Sequence, residues 1–221
     1  MRLLIAIKSC KQDMDRGFHD VIRKTWGLDA FVYGANLFFF IGDNYIINHD
    51  EIILKCLDDY ASLPFKTRAI LRWSLDHDYD FTFLADTDTY LKVDALMRSN
   101  FQQYDYMGVN SRPWGVPFEY TSRDRAGVEH YHPQCWPWCS GGFGVTLSRK
   151  AAEYIVAVEP SGWAEDMHVG AVLNPLYNEG KIKINSVQQG DIAWHFPQSH
   201  FSSGYDPKFG WMEEQYKRYH Q

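Results

Sequence analysis

The sequence predicts an α/β fold, a mostly parallel sheet with helices on both faces. Three observations carry the prediction. The apolar runs "LLIAIKS" at 3–9, "NLFFFIG" at 36–42 and "FTFLA" at 81–85 have the length of buried strands. Helical patterns lie between them, so strands and helices alternate through the first half. Two carboxylates, Asp86 and Asp88, follow the third run directly. In such sheets ligands bind outside the carboxyl ends of the strands.

Each element follows in order. "DRGFHDVIRKTWG" reads as a short helix closed by Gly27. "FKTRAILRWSLDHD" places Phe65, Ala69 and Trp73 at helical spacing. "YDYMGV" at 104–109 is a fourth strand. Residues 110–138 carry four prolines, two glycines and many aromatics, and they read as a long irregular wall facing a substrate. "GGFGVTLS" at 141–148 returns to a strand, and Ser148 caps the helix "RKAAEYIVAV". A further helix follows near 165–173, then the alternating strand "KIKINSV". The polar, aromatic tail from 188 wraps on the body. There is no repeat or linker, so the chain reads as one domain over 1–221, with a nucleotide and metal half to about 109 and an acceptor half from about 110.

Composition narrows the function. The 221 residues are 45% hydrophobic and 23% charged, enough for a core. A net charge of −6 argues against a nucleic-acid partner, which a basic face would mark. A small anionic ligand remains open, because a metal supplies positive charge locally. Aromatic residues reach 16%, which suits either a large core or flat platforms for sugar rings. No run approaches the ~20 apolar residues of a membrane span. The expectation is a cytoplasmic chain, or one domain of a longer protein. Four cysteines permit disulfides without requiring them. His130, His132, Cys135 and Cys139 are too loosely spaced for a familiar zinc site.

"LADTDTYL" fits two chemistries. In one, Asp86 is a phosphatase nucleophile and Asp88 its acid/base. That arrangement places the motif near the start of the fold, whereas here two strands and a helix precede it. In the other, the pair serves Mg²⁺ or Mn²⁺, which takes hard oxygen ligands and keeps sites for substrate phosphates. Asp88 then binds the metal, and Asp86 faces the ribose or a water of its shell. The plain alternative is a pair of solvated loop carboxylates.

Four further stretches surround that pair in order: "VIRKTWG" at 21–27, "LDDYASLPFKT" at 57–67, "WCSGGFGVTLS" at 138–148 and "WAEDMHVG" at 163–170. Together they resemble the β1,3-glycosyltransferases of the galactosyltransferase and Fringe type, over about residues 3–195. Ser62, Pro64 and Met167 depart from that pattern. The chain is also compact, which suggests a distant viral or microbial relative. The resemblance implies a GT-A fold, a central mostly parallel mixed sheet flanked by helices. It implies a metal-dependent hexosyl or deoxyhexosyl transfer from a UDP-sugar to a carbohydrate or glycoprotein hydroxyl, with inversion. Glycoprotein glycosylation, viral capsid protein included, is the expected setting. A sugar-binding module on a decayed transferase fold is the alternative.

The resemblance also implies roles. Asp166 is the general base, ionised near neutral pH. Asp86, Asp88 and His195 form the metal set, with His200 competing for the histidine position. Asp86 and Thr87 touch the UDP-sugar. Gly141 and Gly142 either allow close contact with the sugar or simply make a turn. Arg23 and Lys66 carry charge suited to phosphate, Asp58 could bind uracil or ribose, and Ile7, Lys8 and Ser9 end the first strand where the base should lie.

Overall fold

The computed structural model describes residues 1–42, 48–110, 112–124, 126–162, 164–196 and 208–220. Trp163 and His200 lie outside them. In chain order the elements are β1 (Leu3–Lys8), α1 (Lys11–Asp15), α2 (Phe18–Lys24), α3 (Trp26–Val32), β2 (Asn36–Gly42), β3 (Glu51–Leu54), α4 (Leu63–Asp76), β4 (Phe81–Asp86) and β5 (Thr89–Leu91). Then come α5 (Val93–Arg98), β6 (Tyr106–Val109), β7 (Phe118–Arg123), β8 (Glu129–Cys135), β9 (Val145–Ser148), α6 (Arg149–Ala157), α7 (Glu165–Asn178), β10 (Ile184–Val187), β11 (Ala193–His195) and α8 (Lys208–Tyr219).

A seven-stranded sheet runs β10-β6-β9-β4-β1-β2-β3. Every neighbouring pair is parallel except those made by β9, which is antiparallel to both β4 and β6. This is the predicted α/β architecture. Side chains alternate across a strand, so β1 feeds two cores. Leu3, Ile5 and Ile7 join Trp26, Phe39, Phe83, Tyr90 and Met212 on one face. Leu4 and Ala6 join Phe40, Ile70, Leu71, Leu147 and Leu173 on the other. Burial on both faces explains why the strand reads as a continuous apolar run.

Several details differ from the expectations. The helix before Gly27 breaks at Thr25, whose backbone leaves the helical region (φ −119°, ψ −122°). Its hydroxyl donates to the Val21 carbonyl at 2.7 Å, and the break turns Trp26 into the core. In α4 the buried face is Thr67, Ile70, Leu71 and Ser74, while Phe65 is exposed. The segment 110–138 is not wholly irregular: β7 and β8 form an antiparallel hairpin. Pro133 is tolerated there because a two-stranded ribbon leaves outer edges that need no ladder donor. The "GGFGVTLS" strand begins only at Val145; Gly141–Phe143 is a turn of 3₁₀ helix. Ser148 does cap α6, accepting from Ala151 N at 3.1 Å.

Candidate active site

The register of β1 against β4 sets Lys8 opposite Asp86, both at the strands' carboxyl ends. The Lys8 Nζ lies 3.1 Å from Asp86 Oδ1 and 2.5 Å from Glu165 Oε1 at the start of α7. Only 3% of the Lys8 side chain is exposed, so this cation is committed. Burial opposes the Lys8 charge, but the two carboxylates outweigh it and hold the pKa above its ordinary value. Burial raises the Asp86 pKa, with repulsion from Glu165 and Asp88 added and Lys8 opposing. Burial also works against Glu165, yet the charge and hydrogen bond of Lys8 hold it below the usual carboxylate range. Glycine at 141 makes this packing possible: a Cβ there would sit 2.9 Å from Glu165 Oε1.

A second cluster adjoins the first. β5 and β11 form a short antiparallel ribbon pairing Thr89 with His195. The ribbon brings His195 Nε2 to 3.5 Å from Asp88 Oδ1. Gly142 lies against that imidazole, where a Cβ would be 2.8 Å from Nε2. The Gly142 carbonyl accepts from Thr89 Oγ1 at 3.0 Å, which locks the glycine turn to the ribbon. Thr87 Oγ1 donates to Asp13 Oδ2 at 2.7 Å, tying the acidic loop to α1.

A carboxylate and an imidazole facing each other suit Mn²⁺, and a divalent cation holding a diphosphate needs only one or two protein ligands. Asp88 and His195 therefore fit such an ion. Asp86, the third residue of the expected set, meets Lys8 through Oδ1 at 3.1 Å, and no three His, Cys, Asp or Glu converge as a metal cage among the described residues.

Asp166 follows Glu165 in the first turn of α7. Its Oδ1 accepts from Met167 N at 2.8 Å. Burial and then the Glu165 charge raise its pKa to about 6. A carboxylate with that value is ionised at neutral pH and more basic than an ordinary Asp, as proton abstraction asks.

The remaining candidates form a floor beneath the site. Ile7 is fully buried in the core, so only its backbone is placed to meet a ligand. Lys66 is buried, donating to the Ser9 carbonyl at 2.6 Å and pairing with Asp58. Asp58 in turn accepts from Gly42 N at 2.7 Å and Lys11 N at 3.2 Å. Arg23 pairs with Asp20, Asp50 and Glu51, so its charge is neutralised. Its guanidinium also lies over the Phe39 ring. A buried chain that the sequence did not disclose runs Ser9 Oγ to His19 Nε2 at 2.7 Å and His19 Nδ1 to Glu51 Oε1 at 2.8 Å. Polar residues at 9, 19 and 51 carry no shared spacing, so only the fold brings them together. His130 and His132 bond within the hairpin, to Asp124 and Ser122, both at 2.9 Å.

Acidic pairs at a strand end and a helix start, joined through a glycine turn, are the parts the sequence resemblance led us to expect. The sequence model of the galactosyltransferase family matches residues 19–185. The chain belongs to the galactosyltransferase family. It is a glycosyltransferase, which implies a nucleotide-sugar donor and a carbohydrate acceptor. A search of curated proteins gave no match. Among solved structures, a glycosyltransferase involved in the glycosylation of the major capsid of PBCV-1 aligns with TM-score 0.52 and 9% identity, over 97% of this chain and all of that one. The inositol-1-phosphate CTP transferase from T. maritima aligns with TM-score 0.50 and 11% identity, over 96% of each chain. At such identities the likeness speaks for the fold, a GT-A-like sheet shared by glycosyl- and nucleotidyltransferases. No described helix is long and apolar enough to cross a membrane.

Proposed function

We propose that this galactosyltransferase-family enzyme transfers a hexose or deoxyhexose from a UDP-sugar to a glycan hydroxyl, with inversion and with a divalent metal. The observation that carries the metal is the state of the cations. Lys8 is neutralised by Asp86 and Glu165, Lys66 by Asp58, and Arg23 by three carboxylates. A diphosphate arriving beside Asp13, Asp86 and Asp88 would meet mainly negative charge. Mn²⁺ on Asp88 and His195 would offset the charge that grows on the leaving diphosphate.

The chain's own residues do the rest. Asp166 takes the proton from the acceptor hydroxyl. That oxygen attacks the anomeric carbon from the face opposite the diphosphate. The bond from the anomeric carbon to the diphosphate oxygen breaks, and UDP departs with the electron pair. Lys8 holds Glu165 ionised, and Glu165 keeps Asp166 basic. Gly141 and Gly142 offer backbone without side chains where the sugar approaches. A phosphatase role for Asp86 fits less well, because Lys8 occupies one of its oxygens at 3.1 Å. We extend the reading to glycoprotein glycosylation, viral capsid protein included, and to the cytoplasm, whose reducing conditions suit a chain that needs no disulfide framework.

The test is calorimetric titration of UDP with Mn²⁺ and with EDTA, alongside Asp88→Ala. Binding should require the metal, and Asp88→Ala should lose metal-dependent transfer while keeping its unfolding midpoint. Undiminished turnover in that variant would refute the role of Asp88.

A further inference from the structure

A cleft of about 310 Å³ lies between β8 and the start of α7, and neither Asp86 nor Asp88 lines it. Its walls include His132, Gln134, Trp136, Ser161, Met167 and His168. None of its lining residues is Asp, Glu, Lys or Arg, whereas the floor beneath the strand ends is dense with charge. The size reaches the lower range of small-ligand sites. The cleft touches the catalytic helix, because Ala164 and Met167 flank Glu165 and Asp166 on the chain and both line it.

We infer that this cleft binds a sugar unit of the acceptor beyond the one that reacts, so the acceptor is an uncharged oligosaccharide and not a free monosaccharide. The chemistry of the walls argues for it. A pyranose presents an apolar face and a polar rim. The Trp136 indole and the Met167 thioether offer apolar surface, and Gln134 offers amide donors and an acceptor. His168 lines the cleft at the first turns of α7. It is buried to 6% exposure, and its Nε2 has no hydrogen-bond partner among the described residues. Burial and the Arg68 charge lower the His168 pKa, so the ring is a neutral donor and acceptor. The hairpin continues this surface toward the strand ends. Tyr120 stacks on His132 at 6.3 Å and meets Trp138 edge-on at 5.2 Å. Trp138 stacks on Phe118 at 5.9 Å, beside a smaller cleft of about 150 Å³ that reaches Val109, Ser140 and Arg112, whose guanidinium lies 4.0 Å over the Phe118 ring. An unbranched run of rings of this kind suits a chain of sugars lying along it.

The inference rests on the glycosyl-transfer reading, and its test separates the two. The full chain is applied to an array of neutral and charged mono- and oligosaccharides, and UDP with Mn²⁺ is titrated in parallel. Neutral oligosaccharides of two or more units should be retained and monosaccharides should not. Trp136→Ala and Gln134→Ala should each weaken retention, Trp136→Ala by about tenfold, with UDP affinity unchanged. Gln134 is exposed, so its variant reads the cleft even if Trp136→Ala folds poorly. Retention that neither substitution moves would overturn the inference. So would retention of charged glycans alone, or no retention while UDP still binds. Loss of UDP binding with glycan retention intact would instead strike the donor reading and leave the cleft standing.

Discussion

Asp166 shares the first turn of α7 with Glu165, and burial adds to the repulsion between them. In the proposed role of base it must be ionised, so the rate of transfer should fall as pH drops through about 6. Asp166→Asn should lower turnover by about 10²–10⁴-fold with UDP affinity kept, in steady-state assays at saturating donor. The same group sets a stability signature. Its folded pKa lies above the ordinary 3.8, so between that value and about 6 the folded chain holds more protons than the unfolded one. Stability from this site therefore declines as pH rises through the window. The unfolding midpoint of Asp166→Asn should exceed that of the parent at pH 7 and approach it at pH 4. Lys8 acts in the opposite sense. Lys8→Met leaves Asp86 and Glu165 facing each other without a cation, which costs about 3–5 kcal/mol at neutral pH. The depressed Glu165 pKa means that the parent's gain is present above the ordinary carboxylate range and fades as pH falls. Urea curves of the two proteins should converge as pH falls below the ordinary carboxylate range; a constant gap would sink this account.

The glycine turn shows why part of the site is legible at the level of elements and part is not. Gly141 and Gly142 stand out in the sequence, and either contact or turning explains them equally well there. The fold supplies a third reason: each backbone position lies against a side chain of the candidate site, Glu165 or His195. Gly142→Ala should push the His195 imidazole off Asp88. We expect Mn²⁺-dependent UDP binding to weaken about tenfold with little change in unfolding midpoint, by calorimetry and thermal melts. An unchanged affinity would mean that His195 does not serve the metal. Strand ends carrying Asp86 and Lys8 were readable because apolar runs are long and continuous. Their mutual contact was not, because register is a property of two strands and neither run encodes it alone. The hairpin of β7 and β8 hid for a different reason. Its flanking prolines, Pro133 within it and its exposed polar residues read as loop, and its pairing depends on Tyr120, His132 and the other cross-strand partners.

Over the whole molecule, the order of five motifs carried the α/β fold further than periodicity could, since strand alternation alone leaves many sheet orders open. The tail is where sequence said least. It resolved only as a wrapped segment, yet its helix α8 closes one of the two cores. Met212 is fully buried beside Tyr90 and Phe83's cluster, and Trp211 packs edge-on against Phe196 at 5.5 Å. Tyr219 meets Trp194 at 6.1 Å and bonds Asp94. Trp194 belongs to β11, the strand that also carries His195, so α8 presses on the ribbon that orients the expected metal ligands. A largely polar helix does not advertise this, because one buried methionine and a few aromatic edges do the packing. Met212→Ala should cost about 2–5 kcal/mol in guanidinium unfolding, the price of a buried cavity. Lys217→Ala, on the exposed side, should stay within about 0.5 kcal/mol. If α8 also sets the ribbon, Met212→Ala will weaken Mn²⁺-dependent UDP binding at temperatures where the variant is still folded. A stable, tightly binding Met212→Ala protein would place α8 outside both the core and the site.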